Sequence, residues 1–236
     1  MQVQEKKTKG FTILELLVVI AIIGIVSAVA YPNFSSWAKD RKIKHATSKI
    51  KNLMTSINTQ VQRGSYEFVQ VRLIEGDGKV IVITSGMGTN SLALLKKKDP
   101  DALLERKLPA SFDFNDESKR CPINEDYWDD VGTNPSAPGG VDEFESEDIA
   151  INFSDNTFAI CFSKDGSYYT ENINSPIVIC FRKADVICAV EGINGKPKSS
   201  LIAAGVGKYI YRINWFRFGN VTMDKWSIAR DDWIPQ

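Results

Sequence analysis

Twenty consecutive residues, Phe11 to Ala30 (FTILELLVVIAIIGIVSAVA), carry one charge, the carboxylate of Glu15. As a helix rising ~1.5 Å per residue, the run is ~30 Å long, about one hydrocarbon thickness. In the preceding segment Lys6, Lys7 and Lys9 outnumber Glu5. The positive-inside bias keeps those lysines in the cytoplasm and puts the chain after the run outside. A carboxylate at bilayer depth costs ~2.5–3.5 kcal/mol, so Glu15 needs a partner. No Lys or Arg lies between Phe11 and Trp37. Cleavage after Gly10 would create one: the new α-amino group of Phe11, four residues from Glu15 and on the same helix face. An ordinary signal peptide, cut after Ala28-Val29-Ala30, fits less well. Its apolar core is usually about 7–15 residues, shorter than this run, and Glu15 would be out of place in it. A plain single-span anchor explains the length but neither Glu15 nor the helix that continues.

After Ala30 the helical pattern persists. Pro32 is expected to bend the helix, since Phe34 and Trp37 resume an apolar face. Ile43, Ala46, Ile50, Leu53, Ile57 and Val61 then recur at steps of three and four, one stripe of an amphipathic helix. Gly64 is the expected C-terminal cap. The reading gives a leader at 1–10, a membrane or filament-core helix at 11–30, an amphipathic continuation at 31–63 and a β-rich head at 64–236.

Gly10-Phe11-Thr12-Ile13-Leu14-Glu15, followed by about twenty apolar residues, resembles the class III signal of type IV pilins and type II secretion pseudopilins. The resemblance implies a prepilin peptidase that cuts after Gly10 and methylates Phe11. It makes Glu15 the residue that guides docking by pairing with a neighbour's N-terminus, and Pro32 the family's helix-kinking proline. It implies an α+β pilin-like fold, a long helix packed on an antiparallel head. The implied partners are other pilins or pseudopilins and an inner-membrane assembly platform. The chain would span the inner membrane once and then enter an extracellular filament. The FSKDGSYY turn and the strand after Gly205-Val206-Gly207 are similar to H-type minor pseudopilins and related minor pilins.

In the head, Phe68–Leu73 and Val80–Thr84 flank the turn Glu75-Gly76-Asp77-Gly78, a hairpin signal. Asn90–Lys107 reads as a short helix. Further strands are expected at Ile149–Phe153, Thr157–Phe162, Ser167–Tyr169, Ile177–Phe181, Val186–Val190 and Tyr209–Phe218, with a turn at Lys164-Asp165-Gly166. The four cysteines, Cys121, Cys161, Cys180 and Cys188, all fall in the part read as exported, so two disulfides are expected among three connectivities. A hairpin around Lys183-Ala184-Asp185 would make Cys180 and Cys188 cross-strand neighbours and leave Cys121 to Cys161. Pairing of Cys121 with Cys180 or with Cys188 stays open.

The formal net charge is zero, but it is unevenly spread. Twelve acidic residues against two basic ones lie between Asp113 and Asp148. The plainer reading is a solvated loop. Asp126, Asp129, Asp130, Asp142 and Glu143 are hard oxygen ligands, yet EF-hand spacing is absent and no metal is expected. From Arg182 to Arg230 nine basic residues face three acidic ones. There Lys208, Arg212 and Arg217 interleave with aromatics, a pattern able to contact phosphates and stack on bases. Some minor pilins of this broad family bind DNA, but a twisted strand with one apolar face is the favoured reading. The lone histidine, His45, reads as a helix surface residue. Neither a nucleophile–base set nor a phosphate loop is present, so the chain is read as no enzyme and as needing no cofactor.

Overall fold

The computed structural model describes residues 11–64, 66, 68–76, 78–87, 119, 121, 144–152, 157–170, 176–184, 186–192, 194–216 and 220–236. The leader, the expected helix Asn90–Lys107, Arg217 and most of the acidic segment 113–148, including the five candidate metal ligands, lie outside these residues. The chain divides into two compact units, Met1–Arg41 and Lys42–Gln236.

Helix α1 spans Ile13–Gln62, and position 32 lies within it. At its end Arg63 N–H donates to the Thr59 carbonyl at 3.0 Å and Gly64 N–H to the Val61 carbonyl at 2.9 Å. Gly64 has φ 77°, left-handed backbone that a residue without Cβ adopts at least cost.

In the second unit, β1 (Phe68–Gly76) and β2 (Lys79–Met87) form the expected hairpin, with Gly76 opposite Lys79. After β3 (Phe144–Ser146) and β4 (Ile149–Ile151) come β5 (Thr157–Ser163), β6 (Tyr168–Tyr169) and β7 (Ile177–Phe181). The short strands β8 (Val190–Glu191) and β9 (Lys196–Pro197) pair with each other. A one-turn helix α2 (Ser199–Ala203) precedes β10 (Ile210–Trp215), β11 (Val221–Ser227) and β12 (Asp232–Pro235). One sheet has the order β3-β2-β1-β5-β6, the other β12-β11-β10-β7-β4. All pairings are antiparallel.

The main core joins the stripe of α1 to one face of each sheet. Ile43, Ala46, Ile50, Met54, Ile57 and Val61 are buried with Val69, Val71 and Leu73, with Phe158, Ile160 and Phe162, and with Ile177, Ile179, Tyr211, Ile213 and Met223. Register explains the selection. Val71 stands opposite Ile160, Tyr211 opposite Ile179, and Ile213 opposite both Ile177 and Met223, so alternate residues share one face. The one change to the predicted stripe is at its fourth position, where Met54 is fully buried and Leu53 packs at its margin.

Among the described residues the expected antiparallel head is built on two five-stranded sheets, because β5 returns beside β1 while β7 joins β10. The second sheet is buried on both faces. Val178, Cys180, Ile210 and Trp226 point away from α1 and form a second cluster with Cys188, Leu201, Val206 and Trp233.

Both bridges of the expected pairing form. Cys121–Cys161 has a Cα separation of 5.7 Å and Cys180–Cys188 one of 6.0 Å. The first holds residue 121 on the face of β5 that points away from α1. The second is not the cross-strand pair anticipated. Both edges of β7 are taken, with Cys180 opposite Ile210 on one side and Ala150 on the other. The expected strand Val186–Val190 therefore has no edge to join. It shrinks to a bridge between Lys183 and Val186 and the start of β8, and Cys188 reaches Cys180 across the face of the sheet.

Candidate functional site: the N-terminal helix

The first turn of an α-helix leaves backbone N–H groups without partners, and Thr12 and Glu15 satisfy two of them here. Thr12 carbonyl accepts the Leu16 N–H at 3.2 Å, which makes Thr12 the N-cap. The Thr12 hydroxyl accepts the Glu15 N–H at 3.2 Å. Glu15 Oε2 accepts in return from the Thr12 N–H at 3.2 Å and from its hydroxyl at 3.3 Å. This reciprocal arrangement is a capping box, with the carboxylate at the positive end of the helix dipole. Glu15 thus has hydrogen-bond partners within its own chain. The sequence reading missed Thr12, although Thr-x-x-Glu before an apolar run is itself a signal.

One geometric expectation changes. Phe11 precedes α1, which starts at Ile13, so its nitrogen is not one helical turn from Glu15 on a shared face. It sits one residue before the cap instead. Gly10 lies outside the described residues, and of Pro32 only the helical backbone is described.

Every side chain from Phe11 to Ala28 is exposed. Ile13 is 82% accessible and Ile25 69%. An apolar surface of this length is stable only against lipid or other apolar helices. Among the described residues no helix is long and apolar enough to cross a membrane. The described side chains of the run end at Ala28, two residues short of its end in the sequence.

The basic stretch of the head is committed differently. Arg212 Nε donates to Asp224 Oδ2 at 2.7 Å, and Asn214 donates to the same oxygen at 2.9 Å. Arg212 also donates to the Asn194 carbonyl at 3.0 Å and lies over the Trp233 ring at 4.7 Å. Tyr211 is fully buried, Trp215 packs against the core and Lys208 is exposed. Two of the guanidinium's five N–H donors, and one of its faces, are thus committed within the head. His45 is exposed on α1. Among the described residues no group of three or more His, Cys, Asp or Glu could hold a metal ion.

Comparison with known proteins points to the same segment. Residues 6–31 match the family model described as the prokaryotic N-terminal methylation motif. The chain is 31% identical over 88 residues to a fimbrial protein of Pseudomonas aeruginosa, covering 31% of this chain and 57% of that protein. It is 34% identical over 96 residues to a fimbrial protein of Moraxella nonliquefaciens, covering 41% and 61%. It is 42% identical over 50 residues to the type IV major pilin protein PilA of Myxococcus xanthus, covering 21% and 23%. The chain therefore spans less than two thirds of the length of these curated relatives. No solved structure matches.

Proposed function

We propose, from its similarity to the type IV pilin family, that the chain is a subunit of a cell-surface filament. A prepilin peptidase cuts it after Gly10 and methylates Phe11. The subunit waits in the inner membrane with its head outside, and an assembly platform there stacks it with other pilins through residues 11–63. Members of this family are structural subunits and not enzymes. The single observation that carries the reading is an apolar helix, exposed from Phe11 to Ala28, whose one carboxylate sits at its N-terminal cap. Lipid satisfies that surface first, and the helices of neighbouring subunits satisfy it in the fibre. Once the leader is gone, the Phe11 amine of one subunit and the Glu15 carboxylate of the next are opposite charges in an apolar setting, where attraction is strong.

The relatives carry fimbrial and pilin names, which favours a pilus over a secretion pseudopilin. Within the pilus the reading is a minor subunit. Twelve acidic residues between 113 and 148, repeated at every step of a rod, would repel one another. The test is the intact mass and N-terminal residue of the protein taken from its native cells. The expected mature chain begins with N-methylated Phe11 and co-purifies with sheared filaments at low stoichiometry. A chain beginning at Tyr31 would overturn the reading in favour of an ordinary signal peptide.

A further inference from the structure

We propose that Tyr31, Phe34, Trp37 and Arg41 form a one-sided collar that docks in the phospholipid headgroup layer and fixes the depth of α1 in the bilayer. The inference rests on the membrane stage proposed above and adds a surface to it. Tyr31 is 75% exposed, Phe34 65% and Trp37 52%. At about 100° per residue, positions 31, 34, 37 and 41 fall within about 120° of one another, on one face. The rings of Phe34 and Trp37 are 5.7 Å apart, and the Arg41 guanidinium lies 5.1 Å from the Trp37 ring centre. The four side chains are thus continuous along one ridge.

Height along the helix decides what the ridge meets. With Ile13 at one hydrocarbon boundary, Tyr31 lies ~27 Å along the axis, Phe34 ~32 Å, Trp37 ~36 Å and Arg41 ~42 Å. From that boundary the hydrocarbon core ends at ~30 Å and the far headgroup layer at ~35–38 Å, because the ~40–45 Å of the whole bilayer counts a headgroup layer on each side. Arg41 starts just beyond that layer, and its side chain reaches back over the Trp37 ring into it. The ridge therefore runs from apolar to amphipathic to cationic where the bilayer does the same. Tyrosine and tryptophan place an apolar body in lipid and a polar tip in the headgroups, and a guanidinium matches phosphate oxygens. A dry seam against a second α1 would suit Phe34 but would bury the tyrosine hydroxyl, the indole N–H and Arg41 without partners. Lys39 and Asp40, ~39–41 Å along the axis, lie at the watery edge of that layer, where charge is tolerated.

The test uses the full chain in vesicles of phosphatidylethanolamine and phosphatidylglycerol, with acyl chains brominated near the carbonyl or near the methyl end. Trp37 is isolated from the other tryptophans by subtracting the emission of Trp37→Phe. The expected result is quenching of Trp37 at least about twofold stronger by the shallow bromines than by the deep ones. In the combined variant Tyr31→Ser, Phe34→Ser, Arg41→Ser that shallow quenching falls by half or more, while the chain still resists carbonate extraction. A carbonate-resistant chain whose Trp37 is quenched equally at both depths, or at neither, overturns the collar alone. So does quenching that changes only with subunit density, which would assign the ridge to a neighbouring copy. A wild-type chain that carbonate extracts overturns the membrane stage and the collar with it.

Discussion

Two residues divide the work at the N-terminus, and substitution separates their roles. Thr12 caps α1, so Thr12→Ala removes both its hydroxyl contacts with Glu15 at an expected cost of ~1 kcal/mol to the helix start. Faster amide exchange confined to residues 13–16, with filament yield lowered modestly, is the expected outcome in detergent-solubilised chain. Glu15→Gln keeps an oxygen able to accept from Thr12 but loses the charge that would attract a neighbour's amine. Exchange at residues 13–16 is then expected to stay within about twofold of wild type while filament yield falls at least about tenfold. Equal filament loss in both variants would show that the cap, not the charge, drives assembly. Arg212 poses the parallel question in the head. Its side chain is 20% exposed and that of Asp224 9%. Removing the guanidinium leaves a nearly buried carboxylate with Asn214 alone. Arg212→Ala should therefore lower stability by ~2–3 kcal/mol, read as a shifted urea midpoint, with Arg212→Lys recovering less than half because it lacks the planar fork. Glu15 was legible because a charge in an apolar run demands an explanation. The Arg212–Asp224 pair was not, since it depends on strand register across β10 and β11.

At the level of elements, legibility followed the regularity of the apolar pattern. The hairpin β1–β2 and strands β5 and β7 were readable as runs of β-branched and aromatic residues between turn signals. The amphipathic part of α1 was readable because its single stripe keeps a 3.6-residue period. Strands β11 and β12 escaped notice. Val221 and Met223 serve the main core while Trp226 and Trp233 serve the second cluster, so the apolar residues alternate out of phase and carry no clean period. The second cluster also explains how the two disulfides differ. Cys121–Cys161 closes a sequence separation of 40 and Cys180–Cys188 one of 8. In the chain-entropy model these restrict the unfolded chain by ~4 and ~2.5 kcal/mol. Cys121→Ala with Cys161→Ala should accordingly lower the urea midpoint more than Cys180→Ala with Cys188→Ala. The second pair of substitutions should instead raise amide exchange mainly at residues 186–206, which the bridge holds over the sheet. The reverse ranking of midpoints would mean that the cover over the second sheet contributes more than loop length predicts.

Over the whole molecule, one helix carries two kinds of surface. Residues Met1–Arg41 and Lys42–Gln236 form separate compact units, and α1 contributes to both. Its second half owes its stability to the stripe buried against two sheets. In its first half, among the described residues, every side chain from Phe11 to Ala28 is exposed. The two halves should therefore respond to substitution independently, as distant sites without shared partners do. Ile50 is fully buried in the head core and Ile22 is 55% exposed in the apolar run. Ile50→Ala should lower the stability of the full chain in detergent by ~3 kcal/mol through lost transfer energy and the cavity it leaves. It should leave resistance to carbonate extraction unchanged. Ile22→Asp places a second carboxylate in the run at a cost of ~3 kcal/mol in a bilayer, so extraction should rise sharply and filaments should vanish. Its urea midpoint in detergent should match wild type within error, and the double variant should show the two effects simply combined. A head destabilised by Ile22→Asp would mean that the exposed half of α1 supports the fold as well as the fibre, and the division of labour along the helix would have to be abandoned.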